Sequence, residues 1–265
     1  MTPMTRRLAL LGLTSLAACG AAPRSAPPGP PGMLFRQRFD DADPVDFATP
    51  RPAQFPVHGI DAARFQTRID WNTARANGAN FAFIKATEGG DLLDPSFKDH
   101  WRGAGRSGMW RGAYHFYYFC TEPEVQARWF IRNVPRRAGD LPPVLDMEWN
   151  PQSPTCATVR PPAAEVQDQM RRWLAIVTAH YGTRPIIYTT PGFYEDANLR
   201  SFTGYDFWLR TTAKTPAEAY PGQPWRFWQY SATGLIDGVA GEVDLNAFNG
   251  SQDAWQAWVA ARAIA

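Results

Sequence analysis

A chain of 265 residues that is 45% hydrophobic can build one sizeable core, as a single large α/β barrel or as two small domains. Its 27 basic and 25 acidic residues nearly cancel, and setting aside Arg6 and Arg7 leaves 25 against 25. The sequence therefore shows no basic field that would steer it to nucleic acid or to an anionic wall. Aromatic residues make up 14%, with 11 Trp, which suits sugar stacking but suits an aromatic core better.

The chain opens on a leader. Arg6 and Arg7 precede an apolar stretch, Leu8 to Ala18, too short to span a bilayer. It ends in Leu16-Ala17-Ala18-Cys19, which looks like a bacterial lipobox. Residues 1–18 are expected to be a lipoprotein signal peptide and Cys19 the lipidated mature terminus. The paired arginines also hint at twin-arginine export. Residues 19–55 are rich in Pro, Ala, Gly and Arg and read as a lipidated tether, leaving residues 56–265 as the folded domain. Export also makes the remaining Cys120 and Cys156 a candidate disulfide.

From Val57 the pattern changes. Short apolar runs span Val57 to Asp61, Phe81 to Thr87, Trp110 to Phe116, Pro143 to Met147, Pro185 to Thr189, Phe207 to Thr211, Phe227 to Ser231 and Val243 to Phe248. Several are apolar on both faces, as parallel strands buried on both sides require. Between them the clearest helix covers Ala163 to Tyr181. Val166, Met170, Trp173, Leu174, Val177 and Tyr181 share one face, Pro161 and Pro162 suit its start, and Gly182 its end. After Pro185 the helical segments fade. Eight strands with reduced helices predict an irregular TIM-like (β/α) barrel. A doubly wound sheet is the alternative, but no Gly-rich nucleotide loop follows the first strand.

The strand ends are acidic. Asp61 closes the first run, Glu88 follows the second, Asp146 and Glu148 close the fourth, and Asp244 lies in the last. Asp146 and Glu148, two apart, face one way if both keep strand geometry. Two such close carboxyls cannot both ionise freely, so one is held protonated as an acid while the other stays charged. Glycosidic cleavage uses that division of labour. Barrel closure would bring Asp61 and Asp244 to the same mouth. A cation site is the competing reading of clustered carboxylates. Tyr114, Tyr188, Trp208 and Trp228 nearby look more like sugar platforms, so no metal and no cofactor are expected. His58 and His115 read as hydrogen-bonded scaffold, and Glu88 as a partner of Lys85 or of substrate.

Several segments resemble one family when taken in order: His58-Gly59-Ile60-Asp61, Ile69-Asp70-Trp71, Phe81 to Gly89, Arg111 to Phe116, Pro143 to Glu148, Trp228-Gln229-Tyr230 and Val243 to Asn246. They are similar to the glycoside hydrolase family 25 lysozymes, the Chalaropsis-type muramidases, over about residues 57–249. The resemblance implies hydrolysis of the β-1,4 bond from N-acetylmuramic acid to N-acetylglucosamine in peptidoglycan. Glu148 would be the general acid, and Asp146 would tune it or orient the substrate acetamido group. Asp61 and Asp244 would line the site, and Tyr114, Tyr188, Trp208 and Gln229 would meet sugars. The expected partners are glycan strands and, through Cys19, a membrane; the expected state is a monomer on the periplasmic face of the envelope, at the outer membrane if the source is Gram-negative. Competing functions are a non-catalytic wall-binding module, a chitinase-like enzyme and a metal-dependent deacetylase.

Two features depart from the family pattern. Arg210 stands where a small residue is expected, and Asn150 to Pro162 looks like an added loop. That loop carries Cys156, and Cys120 follows the neighbouring strand, so a bridge across the cleft rim is geometrically plausible.

Overall fold

Eight strands close on themselves in a computed structural model that describes residues 32–153 and 155–265. The expected signal peptide and Cys19 lie outside the described residues. The elements in chain order are β1 (Asp40–Asp41), β2 (His58–Ala62), α1 (Trp71–Ala76), β3 (Ala79–Glu88), β4 (Leu92–Leu93), α2 (Phe97–Ser107), β5 (Trp110–Phe116), α3 (Pro123–Asn133) and β6 (Val144–Met147). They continue with α4 (Ala163–Tyr181), β7 (Ile186–Thr189), α5 (Pro191–Asp196), β8 (Phe207–Arg210), α6 (Pro216–Ala219), β9 (Phe227–Leu235), β10 (Val243–Phe248) and α7 (Gln252–Arg262). The barrel runs β9-β10-β2-β3-β5-β6-β7-β8, and β8 pairs with β9 to close it. This is the irregular (β/α) barrel that the eight apolar runs predict. The short β1 and β4 are additions at its edges. Among the described residues, no helix is long and apolar enough to cross a membrane.

Helix α4 has both predicted ends. Gly182 terminates it at φ 74°, a left-handed conformation that glycine adopts without strain. Between β7 and β9 the helices shrink to six residues in α5 and four in α6, and none joins β9 to β10. That last connection, residues 236–242, is too short to carry the chain back to the floor for another parallel strand. β10 therefore runs antiparallel to both β9 and β2. Its first residues, not its last, lie at the barrel mouth.

Side chains alternate between two cores. Phe81, Phe83, Val144, Ile186, Trp208, Phe227 and Phe248 fill the barrel interior. Trp255 and Trp258 of α7 plug its floor, with Trp255 stacked 5.3 Å from Phe81 and Trp258 5.1 Å from Phe227. The outward residues pack beneath the helices, where Met170, Trp173, Leu174 and Val177 of α4 are buried.

The stretch read as a tether differs from expectation. From residue 32 it lies against the barrel. Phe35 exchanges two hydrogen bonds with the Asn80 side chain, 2.7 Å from its N–H and 2.9 Å to its carbonyl. Phe47 is buried with its ring 4.9 Å from Trp228, and Phe55 also packs on Trp228. A Cβ on Gly78, at φ 103°, would lie 2.3 Å from the Gln37 Cα, so only glycine admits this approach. Phenylalanines at 35, 39, 47 and 55 give a Pro-rich segment enough apolar area to dock.

Candidate active site

The inward positions change character along each strand. Near the floor they are apolar; at the mouth they become Asp61 on β2, Lys85 on β3, Tyr114 on β5, Asp146 on β6, Tyr188 on β7, Arg210 on β8, Gln229 on β9 and Asp244 on β10. These line one cleft of about 720 Å³, which also holds Glu88, Glu148 and Trp208. Nine of the ten sequence candidates for catalysis or sugar contact therefore meet in one place, all but Trp228. Asp244 and Asp61 are direct partners in the β10–β2 register. The antiparallel course of β10 is what lifts Asp244 to the mouth.

The floor of this cleft is a hydrogen-bonded chain. Trp208 Nε1 donates to Asn246 Oδ1 at 2.8 Å, which leaves the Asn246 amide to donate to Asp61 Oδ2 at 2.8 Å. From the other side the Tyr188 hydroxyl donates to Gln229 Oε1 at 2.9 Å, and the Gln229 amide donates to the same Asp61 oxygen at 2.9 Å. Each outer donor fixes which end of the amide faces Asp61. Trp208 is only 2% exposed and its N–H is committed, so it forms the base of the site rather than an open platform. In the sequence Asn246 is only the last residue of the Val243 to Asn246 motif; its role emerges from register.

The four carboxyls are not equivalent. Burial pushes Asp146 well above the usual carboxylate range, and the charge of Glu148 pushes it further. Its Oδ1 is buried without a hydrogen-bond partner among the described residues. Burial of Asp146 thus favours its neutral form. Burial also raises Glu148, against the opposing pull of Arg210 and Lys85, and Glu148 stays half-open to the cleft. Burial and the neighbouring Asp61 charge raise Asp244, which shares a hydrogen bond with Asp61. Burial raises Asp61 too, while the amides of Asn246 and Gln229 and the Asp244 hydrogen bond favour its anion. One proton held between the two acids, on the Asp244 side, meets all of these constraints.

The remaining candidates have definite places. Glu88 forms an ion pair with Lys85 and accepts from the Tyr118 hydroxyl at 2.8 Å. Burial works against the charge of Glu88, but Lys85 and Tyr118 outweigh it and hold the carboxyl below its ordinary value. His58 bonds the Phe55 carbonyl at 2.8 Å and Tyr230 at 3.2 Å, and His115 bonds Thr87 at 2.8 Å and Gln126 at 3.0 Å. Both lie away from the cleft lining, as the scaffold reading expects. Trp228 does not reach the cleft. It is fully buried on the outer face, donating to the Thr211 carbonyl at 2.8 Å. Its one-residue offset from inward Gln229 puts it there.

Several lining residues escaped the sequence reading. Phe65 stands on the rim at 73% exposure beside Arg64, and Trp149 to Ser153 form one wall. A large aromatic in the loop after a strand that carries an inward acid is the signal that could have found Phe65. The wall is braced where expected: a disulfide joins Cys120 to Cys156 with Cα atoms 5.5 Å apart, inside the range that such bonds span.

Residues 60–239 match the model of the glycosyl hydrolases family 25. The chain is 39% identical over 218 residues to the protein YegX of Escherichia coli K12, covering 80% of this chain and 77% of YegX. It is 36% identical over 268 residues to Lysozyme M1 of Streptomyces globisporus, covering 92% and 88%. Among solved structures, a family 25 glycosyl hydrolase from Bacillus anthracis superposes with a TM-score of 0.70 at 31% identity, covering 77% of this chain and 94% of that one. With the ordered motifs, the barrel and the four-carboxyl mouth, these likenesses show that the chain belongs to glycoside hydrolase family 25.

Proposed function

We propose that the protein is an N-acetylmuramidase that hydrolyses the β-1,4 bond from N-acetylmuramic acid to N-acetylglucosamine in peptidoglycan, with Glu148 as the general acid. The observation that carries this reading is Glu148 itself. It is a carboxyl raised by burial yet half-open to a sugar-sized cleft, beside buried Asp61 and Asp146 and half-buried Asp244. The likeness to Lysozyme M1 over most of both chains supports the substrate class.

In this reading Glu148 gives its proton to the glycosidic oxygen as the bond from that oxygen to C1 breaks. Asp61, steadied as an anion by two amides, faces the positive charge that develops near C1. Neutral Asp146 can donate to the substrate's acetamido oxygen. Water supplies the hydroxyl at C1, and its other hydrogen restores the Glu148 carboxyl. Phe65 on the rim offers an open aromatic face to a neighbouring sugar.

The same reading has the enzyme exported and working as a monomer. A lipid on Cys19 would hold it at the periplasmic face, of the outer membrane if the source is Gram-negative. Leu16-Ala17-Ala18-Cys19 supports that anchor. Digestion of purified peptidoglycan, with product ends identified by mass spectrometry, tests the activity. Reducing muramic acid ends are expected from the wild type and none from Glu148→Gln. Reducing glucosamine ends, or undiminished release by the variant, would overturn it.

A further inference from the structure

The near-zero net charge conceals a polarity. Asp61, Asp146, Glu148 and Asp244 gather at the barrel mouth. The opposite end, where the parallel strands begin, carries arginines. Helix α2 returns from the mouth to the floor, ending at Ser107 just before β5 starts, and Arg102 and Arg106 stand one turn apart on it. Arg137 lies in the turn before β6, and that turn is pinned to the end of α7 by Gly139 N–H to the Ile264 carbonyl at 2.9 Å.

Arg102, Arg106 and Arg137 line one groove of about 390 Å³, with Arg111 and Trp101 beneath them. Arg111 is engaged already. It donates to Asp140 Oδ1 at 2.9 Å and lies over the Trp101 ring at 4.2 Å. Asp140 is thereby taken, and no other carboxylate lines the groove. The three remaining arginines are exposed and form no ion pair among the described residues. Single unpaired arginines are ordinary on a surface. Three around one groove, with no carboxylate among its lining residues, form a site for anions.

A second observation says which anions. Buried Arg75 donates to the Ser107 carbonyl at 2.7 Å and to the Met33 carbonyl at 3.2 Å. Met33 therefore sits beside the residue that follows Arg106. Gln256 of α7 reaches the Gly32 carbonyl at 3.2 Å. The chain thus joins the barrel at its floor, next to the groove and on the far side from the cleft. The sequence before Gly32 carries Cys19, the expected site of an N-terminal lipid. A wall polymer seated on this floor would be held away from the catalytic mouth, whereas a membrane there leaves the mouth facing outward.

We propose that the barrel floor is a docking surface for a bilayer containing anionic phospholipids, with headgroup phosphates in the groove of Arg102, Arg106 and Arg137. The catalytic mouth then points away from the membrane. This inference does not depend on the muramidase reading, because it concerns the opposite pole and is read by binding.

The test compares the full-length wild type with the triple variant Arg102→Gln, Arg106→Gln, Arg137→Gln. Each is floated with vesicles of phosphatidylcholine alone or of phosphatidylcholine mixed equally with phosphatidylglycerol. The N-terminal segment and any lipid on it are common to both proteins, so their difference isolates the groove. Near an anionic surface each arginine is worth about a fivefold change in partitioning, so the triple variant is expected to bind the anionic vesicles on the order of a hundredfold more weakly. A triple Lys variant is expected to keep the binding, and added salt to weaken it. Unchanged hydrolysis of soluble glycan by the Gln variant would show the fold intact. Equal binding of wild type and Gln variant to anionic vesicles overturns the proposal. So does wild-type binding that ignores salt, or a Gln variant that loses affinity for purified sacculi but not for vesicles, which would make the groove a wall-polymer site.

Discussion

The Trp208 indole N–H donates to Asn246 Oδ1 at 2.8 Å and thereby decides which end of the Asn246 amide faces Asp61. A residue expected to stack on sugar instead sets the charge of an acid one bond further on. Trp208→Phe keeps most of the ring and removes the donor. Asn246 can then turn its oxygen toward Asp61, where two acceptors would repel. Losing one such hydrogen bond to a buried charged group costs about 1.5–3 kcal/mol, so kcat is expected to fall roughly ten- to a hundredfold with KM little changed. A KM effect alone would return Trp208 to a substrate-contacting role.

Arg210 sets the alkaline limb of activity. Burial raises Glu148, and Arg210 is the largest influence lowering it again. Hydrolysis needs Glu148 protonated, so the rate is expected to fall as pH rises through the Glu148 value. Removing the positive charge in Arg210→Ala lets that value rise, and the alkaline limb should move to higher pH. The pH profile of kcat/KM for both proteins measures the shift. A shift toward lower pH would sink this assignment.

Two buried histidines make the fold sensitive to acid. Burial lowers His58 and His115 from 6.5 to about 4. A histidine lowered in the folded state binds fewer protons there than in the unfolded chain. Its contribution is therefore present above pH 6.5 and is lost as pH falls from 6.5 toward 4. For His115 the full loss is about 3 kcal/mol. The cleft carboxyls, raised in the fold, slope the other way, so the effect is read as a difference. The Tm of wild type minus that of His115→Gln, followed from pH 4 to pH 7, is expected to grow with pH. A constant difference would show that His115 does not titrate in this way.

The Cys120–Cys156 bond closes a span of 36 residues and braces the wall from Trp149 to Ser153. In the chain-entropy model that closure is worth about 3–4 kcal/mol. Reduction is expected to lower the Tm by several degrees and to raise KM for glycan as the wall loosens. Thermal unfolding and steady-state kinetics with and without reductant check both. Two thiols free to alkylation in the non-reduced protein would remove the basis for this expectation.

Much of the molecule was legible in the chain. Two-sided apolar runs marked eight strands because a strand buried on both faces must be apolar on both. The α4 periodicity and its terminating Gly182 marked a helix because burial on one face and a left-handed stop both leave sequence traces. The acids at strand ends were readable for a related reason: a polar residue closing an apolar run has few other places to go than the mouth.

Direction, partnership and long-range docking were left to the tertiary structure. Period-two alternation does not state which parity faces inward, so Trp228 and Gln229 could not be told apart until register placed Trp228 outside and Gln229 beside Asp61. The antiparallel turn of β10 follows from a short connection but shows itself only when the barrel closes, and it alone explains how Asp244 meets Asp61. The docking of Phe35 and Phe47, and the gathering of arginines on the floor, depend on residues far apart in the chain. Composition fixes how many charges there are; the sign of each face is set by which of them folding brings together.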